Sequence, residues 1–180
     1  MNHIVEEIVD SILESQYIGI IRDKFSGNKI QMFPLIANEK FVLGLRVRDF
    51  TADGFVILKV SDITEIERNK TSQYFEYILK AEKQFDKRND LINIDLDSWE
   101  TIFKSLQDSN LIVELVDDLD DALDIGEVRC VDKNSLKLRC FNTIGVWDDE
   151  NIEISYENIT SVVFLDNYSC IFSKYLRSDE

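Results

Sequence analysis

The densest acid in the chain is the run Asp117-Asp118-Leu119-Asp120-Asp121. Carboxylates at alternate positions suit a hard cation such as Ca²⁺ or Mg²⁺. The run lacks the loop glycine and the distal bidentate glutamate of a dedicated cation loop, so it reads as a solvated acidic loop that would attract a basic partner. A second candidate is Trp147 beside Asp148-Asp149. An aromatic side chain flanked by carboxylates on a loop can anchor a partner while the charges steer it; core packing is the competing role for that ring. Asp117, Asp118, Asp120, Asp121, Trp147, Asp148 and Asp149 are accordingly the partner-binding residues expected from sequence.

Catalytic chemistry has little to build on. The sole histidine, His3, lies on the first turn of a terminal helix, and a Ser-His-Asp or Cys-His arrangement would have to rest on it. Phe25-Ser26-Gly27-Asn28-Lys29 has one glycine and falls in a hairpin turn, which is no phosphate-binding loop. Hydrolysis by carboxylates alone needs a pair at a defined separation, and with 35 acids some pair arises by chance. Cys130, Cys140 and Cys170 are odd in number and show no Cys-x-x-Cys spacing, so they read as small hydrophobes in a reducing cytoplasm. No catalytic residue, cofactor or metal is expected.

Charge narrows the partner. The 180-residue chain carries a net charge of -15, unevenly spread: residues 1–90 hold 15 acids against 13 bases, and residues 91–180 hold 20 against 7, giving -2 and -13. The acid is densest over residues 95–124, where Lys104 is the only base. Such a surface repels a phosphate backbone and attracts a basic protein. Arg46, Arg48, Lys59, Arg68 and Lys70 are interleaved with acids and form no basic stripe, so nucleic-acid binding is disfavoured. Apolar runs such as residues 41–45 fall short of the ~20 residues that span a bilayer. Glu6, Glu7 and Asp10 stand where a secretory signal would begin with base, so a cytoplasmic protein is expected.

The elements that position these residues follow from periodicity. Ile4, Val5, Ile8, Val9, Ile12 and Leu13 recur with helical spacing, with Asn2 available as the cap. Residues 17–21 and 29–35 read as strands joined by Ser26-Gly27-Asn28, residues 41–48 and 55–60 as a hairpin across Thr51-Ala52-Asp53-Gly54, and residues 63–67 as a short strand. The period then predicts a helix over 70–85, supported by the Glu76/Lys80 pair. Polar residues 84–93 read as a connector. Asp97, with Glu100 three residues on, marks the next helix start, and Trp99, Ile102, Phe103 and Leu106 give it an apolar face. Strands are expected over 111–116, 125–131, 135–141, 152–156, 159–164 and 169–172.

The chain also echoes itself. Residues 55–66 (FVILKVSDITEI) resemble residues 151–162 (NIEISYENITSV), and Ile18-Gly19-Ile20-Ile21-Arg22 resembles Ile125-Gly126-Glu127-Val128-Arg129. The expected organisation is therefore α+β, two related units in tandem: residues 1–88 with a closing helix, and the acidic residues 94–180. A helix followed by five short strands, with a polar corner before an Ile-x-x-Ile strand, resembles the Sm-like small barrel, and this implies two helix-plus-small-antiparallel-β-barrel units. The stretch Gly145-Val146-Trp147-Asp148-Asp149, with Ile159-Thr160-Ser161-Val162 and Phe172-Ser173-Lys174-Tyr175-Leu176, also resembles the C-terminal half of an uncharacterised bacterial protein family. That resemblance implies a bacterial cytoplasmic origin and carries no catalytic residues across. The functional expectation is a non-catalytic protein-binding module, in a specific form an immunity or antitoxin-like inhibitor of a basic partner. The alternatives are an Sm-like RNA or nucleotide binder, implied by fold analogy, and a metal-dependent hydrolase using the acidic loop.

Overall fold

The computed structural model describes residues 3–25 and 29–178. Asn2 as a helix cap and the Ser26-Gly27-Asn28 turn lie outside the described residues. The chain divides into two units, residues 1–91 and 92–180.

The first unit opens with helix α1 (His3–Leu13), which buries Val5, Ile8 and Ser11 at three-residue spacing and packs on β2 and β5. Its strands are β1 (Ile18–Ile21), β2 (Ile30–Ala37), β3 (Phe41–Arg48), β4 (Thr51–Lys59) and β5 (Glu65–Glu67), with a 3₁₀ turn, Val60–Asp62, before β5. They lie in the order β5-β1-β2-β3-β4, all antiparallel. β3 is buried at every position from Phe41 to Val47, so both of its faces are covered. At Gly44 a Cβ would stand 2.1 Å from the Met32 Cε and 2.7 Å from the Phe33 carbonyl oxygen, which leaves room for glycine alone. Pro34 is tolerated in β2 because the pairing with β1 ends at Met32 and the register with β3 shifts between Pro34 and Ile36.

The β3–β4 turn is tighter than the sequence predicts. It consists of Asp49 and Phe50, with φ of 44° and 60°, and β4 already begins at Thr51. Positive φ at both central residues matches the twist of a two-residue hairpin. Phe50 accepts this conformation while its ring sits edge-on to Phe75, 4.7 Å between centroids.

Phe75 belongs to α2 (Lys70–Ala81), whose cap is Asn69, accepting from the Thr71 and Ser72 N–H groups at 2.9 and 3.0 Å. One side chain ties α2 to the start of β1. Glu76 accepts from the Tyr17 N–H at 2.9 Å, Arg68 at 2.9 Å and Lys80 at 2.8 Å. The helix expected over 70–85 ends at Ala81; Lys83 turns left-handed with φ 58°, and a 3₁₀ segment, Gln84–Asp90, follows. The expected connector is thus ordered over most of its length. It carries Phe85 onto Phe33 at 4.7 Å, with the Arg88 guanidinium 4.0 Å above the Phe85 ring.

The second unit opens with α3 (Trp99–Asp108), packed on β7. Its cap is Ser98, accepting from the Thr101 N–H at 3.2 Å while the Thr101 hydroxyl accepts from the Ser98 N–H at 3.0 Å. The expected Asp97/Glu100 box is displaced by one residue. The strands are β6 (Ile112–Asp117), β7 (Ala122–Val131), β8 (Ser135–Cys140), β9 (Ile152–Ser155) and β10 (Ser161–Phe164), in the order β10-β6-β7-β8-β9. Trp99, Phe103 and Tyr156 stack in sequence at 5.6 Å per pair. The terminal strand expected over 169–172 is instead helix α4 (Asn167–Phe172). Leu165, at φ 55°, turns the chain out of β10, and the buried Asp166 carboxylate caps α4 by accepting from the Tyr168 and Ser169 N–H groups.

The α+β composition stands, but the expectation of closed Sm-like barrels is overturned. Among the described residues, the five strands of each unit lie in open antiparallel order: β5 and β4, at opposite ends of the first row, do not pair with each other, nor do β10 and β9 in the second. Closure needs strands long enough to tilt and stagger around an axis. β5 has three residues, and β9 and β10 have four each.

The longer sequence echo has a physical basis. Thr64 donates its N–H to the Ile21 carbonyl at 2.9 Å, its hydroxyl lies 3.2 Å from the same oxygen, and that hydroxyl accepts from the Asp23 N–H at 3.2 Å. Thr160 repeats this on Val116 and Asp118, at 2.8, 2.9 and 3.1 Å. Each threonine clasps the end of its unit's first strand just where the fifth approaches. The shorter echo has no such basis, since residues 18–22 begin on the first strand of their unit and residues 125–129 lie on the second strand of theirs.

Thr160 is buried and Thr64 exposed. Thr160→Val should therefore cost about 1–3 kcal/mol in urea denaturation, and Thr64→Val less, because water replaces the lost partner there. Equal costs at the two sites would contradict the clasp. Glu76 gives a second expectation. Burial pushes its carboxyl up, but hydrogen bonds from Lys80 and the Tyr17 N–H, with the charges of Lys80 and Arg68, outweigh it and hold the carboxyl below the ordinary glutamate value. Its contribution is then present in full above the unfolded value and is lost as pH falls through the folded one. Urea midpoints of the native chain and Glu76→Gln should differ at neutral pH and converge as the pH falls below the ordinary glutamate range. A pH-independent gap would exclude the charge as the cause.

Candidate functional site

The expected acidic loop is the β6–β7 hairpin turn, and its aspartates divide by role. Asp117 accepts from the Leu119 and Asp120 N–H groups at 3.0 and 3.3 Å, so its carboxylate shapes the turn. Asp118 sits in the clasp, its carboxylate 2.6 Å from the Thr160 hydroxyl. Asp121 occupies the left-handed position at φ 53°, and Asp120 and Asp121 are both exposed.

A groove of about 220 Å³ opens beside this turn, within the second unit. Its acidic side chains are Asp117, Asp120 and Asp124; Glu153 also borders it, but the register turns its carboxylate to the opposite face of β9, where it accepts from the Ser135 hydroxyl. Leu115, Ile152, Ile154 and Ile159 give it an apolar surface. Strand register explains the assembly. Leu115 pairs with Asp124 and Asp117 with Ala122, so these four share one face of the β6–β7 pair. Passing through Gly126, Cys140 and Leu138, the same face reaches Ile152 and Ile154 of β9. Gly126 is needed at the crossing, because a Cβ there would lie 2.2 Å from the Arg139 carbonyl oxygen. Partial burial on this face raises the Asp124 carboxyl above its ordinary value.

The second expected cluster is placed differently. Trp147 is half-buried and edge-on to Phe141 at 5.6 Å, with the Arg139 guanidinium 5.2 Å from its ring. Phe141 stacks on Phe172 at 5.1 Å, and Phe172 on Tyr168 at 4.9 Å. The Trp147 N–H donates to the Arg177 carbonyl at 3.0 Å, so this cluster anchors the C-terminal segment. Asp148 and Asp149 are exposed on the loop before β9. The groove thus gathers Asp117 and Asp120 of the expected residues, and Trp147, Asp148 and Asp149 are not part of its lining. Asp124 was not singled out as a binding residue from sequence. Its signal is the alternation along β7, which acquires meaning only once the register is known.

Among the described residues, no three His, Cys, Asp or Glu side chains converge so as to hold a metal ion. No helix of the described residues is long and apolar enough to cross a membrane. Comparison with protein-family models, with curated proteins and with solved structures finds no match.

Cys140 reports on the acid around it. Burial first, then the charges of Asp124 and Asp148, push its thiol up to about 11, which keeps it protonated and unreactive at neutral pH. Alkylation by iodoacetamide at neutral pH, followed by mass spectrometry, should modify the exposed Cys130 well before Cys140. Modification of Cys140 at the same rate as Cys130 would contradict this.

Proposed function

We propose that the chain is a non-catalytic cytoplasmic binding protein whose second unit takes a basic protein partner, in a specific form as an immunity or antitoxin-like inhibitor. One observation carries the reading. The groove sets Asp117, Asp120 and Asp124 around an apolar surface, and its described lining contains no lysine or arginine. The half of the chain that holds it has 20 acids against 7 bases.

Isolated exposed charges interact weakly in water, about 1 kcal/mol at 4 Å. Several carboxylates around a concave, partly apolar surface act together and speed the approach of a cationic partner. The exposed Leu119 and Leu123, 68% and 55% accessible, flank the same turn and add apolar area for contact.

Affinity capture from the native cell tests the reading. The native chain should retain a basic protein that salt releases, and the triple variant Asp117→Asn, Asp120→Asn, Asp124→Asn should lose it. Recovery of RNA, or of a partner insensitive to salt and to the triple variant, would overturn the proposal.

A further inference from the structure

β9 ends the strand order of its unit and pairs on one side with β8, from Leu138↔Ile152 to Ser135↔Ser155. Along an antiparallel pair, residues alternate between those bonded to the partner and those whose N–H and C=O point away. The Tyr156 N–H donates to the Asn134 carbonyl at 3.0 Å, which fixes the phase. Ile152 and Ile154 therefore bond toward β8, and the backbone N–H and C=O of Glu153 point to the open side. The Ile152 and Ile154 side chains line the groove, whose other side carries Asp117 and Asp124.

An open strand edge thus borders an acid-lined groove. We infer that β9 receives an extended basic segment of a protein partner as an added strand, with one of its lysine or arginine side chains lodged beside Asp117, Asp120 and Asp124. The inference rests on the reading of a basic partner and adds the mode of binding. Main-chain hydrogen bonds supply affinity in such an addition, and alternate side chains supply specificity. Charge complementarity selects the occupant, since the groove's charged lining is wholly acidic. The size fits: about 220 Å³ corresponds to roughly seven waters at ~30 Å³ each, room for one long side chain. Ile152, 39% accessible, would be covered by the added strand.

The probe is a blocked, fluorescently labelled peptide of alternating lysine and valine, titrated against the full chain at low salt and read by anisotropy. Its control is the same peptide N-methylated throughout, which keeps the charge and removes the main-chain donors. The expected result is binding of the first peptide and at least about tenfold weaker binding of the second, about 1.4 kcal/mol. Asp124→Asn should weaken the first peptide, and so should Glu153→Pro, which removes an outward N–H without taking a bond from β8. If Glu153→Pro unfolds the chain, the methylated peptide still decides, because it leaves the protein unchanged. Equal binding of both peptides would overturn strand addition and leave the basic-partner reading standing. Failure of both peptides, with a basic protein still captured from the cell, would also overturn strand addition; failure with nothing basic captured would remove both.

Discussion

In each unit a single threonine decides where the fifth strand meets the first. Thr64 and Thr160 each donate their N–H to a carbonyl at the end of the first strand, and each hydroxyl accepts from the N–H two residues further on. A backbone donor and a side-chain acceptor therefore close on adjacent sites of one strand. In the second unit the clasp starts the β10 register, since Ser161 pairs with Val116 directly after Thr160 has bonded there. The whole of β10 is buried, so a slip of one residue would turn its core-facing side chains to the opposite face. The clasp also reaches Asp118, so the acidic hairpin turn and the sheet are held by the same oxygen.

The two units use their third and fourth strands differently, and the difference accounts for where a site can form. In the first unit β3 is covered on both faces, and the segment carrying Phe85 lies over Phe33. The corresponding β8 alternates between buried and accessible positions, and no position of β9 is buried. The face reaching Ile152 and Ile154 keeps an opening where the first unit has packing. Carboxylates are tolerable there because they remain in contact with water; fully buried, unpaired ones would be far costlier.

Much of this was legible in the chain. The helix at Trp99 followed from its apolar spacing, and the long echo found the two clasps because Ile63-Thr64 and Ile159-Thr160 do the same work. What escaped was decided by non-local or one-residue effects. Residues 169–172 have a composition compatible with a strand, but no strand awaits them, and Leu165 and Asp166 turn them into a helix. Ser98 outcompeted Asp97 as a cap through its exchange with Thr101. Whether each row of strands closed depended on the lengths of its end strands, which local pattern does not set. At the site, Asp117 and Asp120 were visible as charge, but Asp124 joined them only through the register of β6 and β7.

The division of labour among the aspartates bears on what the acid can do. A dedicated cation site needs several carboxylate oxygens free to converge at bonding distance. Here an Asp117 oxygen accepts two turn N–H groups and an Asp118 oxygen meets the Thr160 hydroxyl, so part of the run's coordinating capacity is spent on structure. Asp124 enters from β7, whereas the Glu153 carboxylate is turned to the opposite face of β9, where it accepts from the Ser135 hydroxyl at 2.8 Å. The result is a spread of negative charge over a groove wall rather than a focus at a point. A spread field favours a ligand whose own charge is distributed along a chain, and the apolar surface beneath it favours one that also carries hydrophobic side chains.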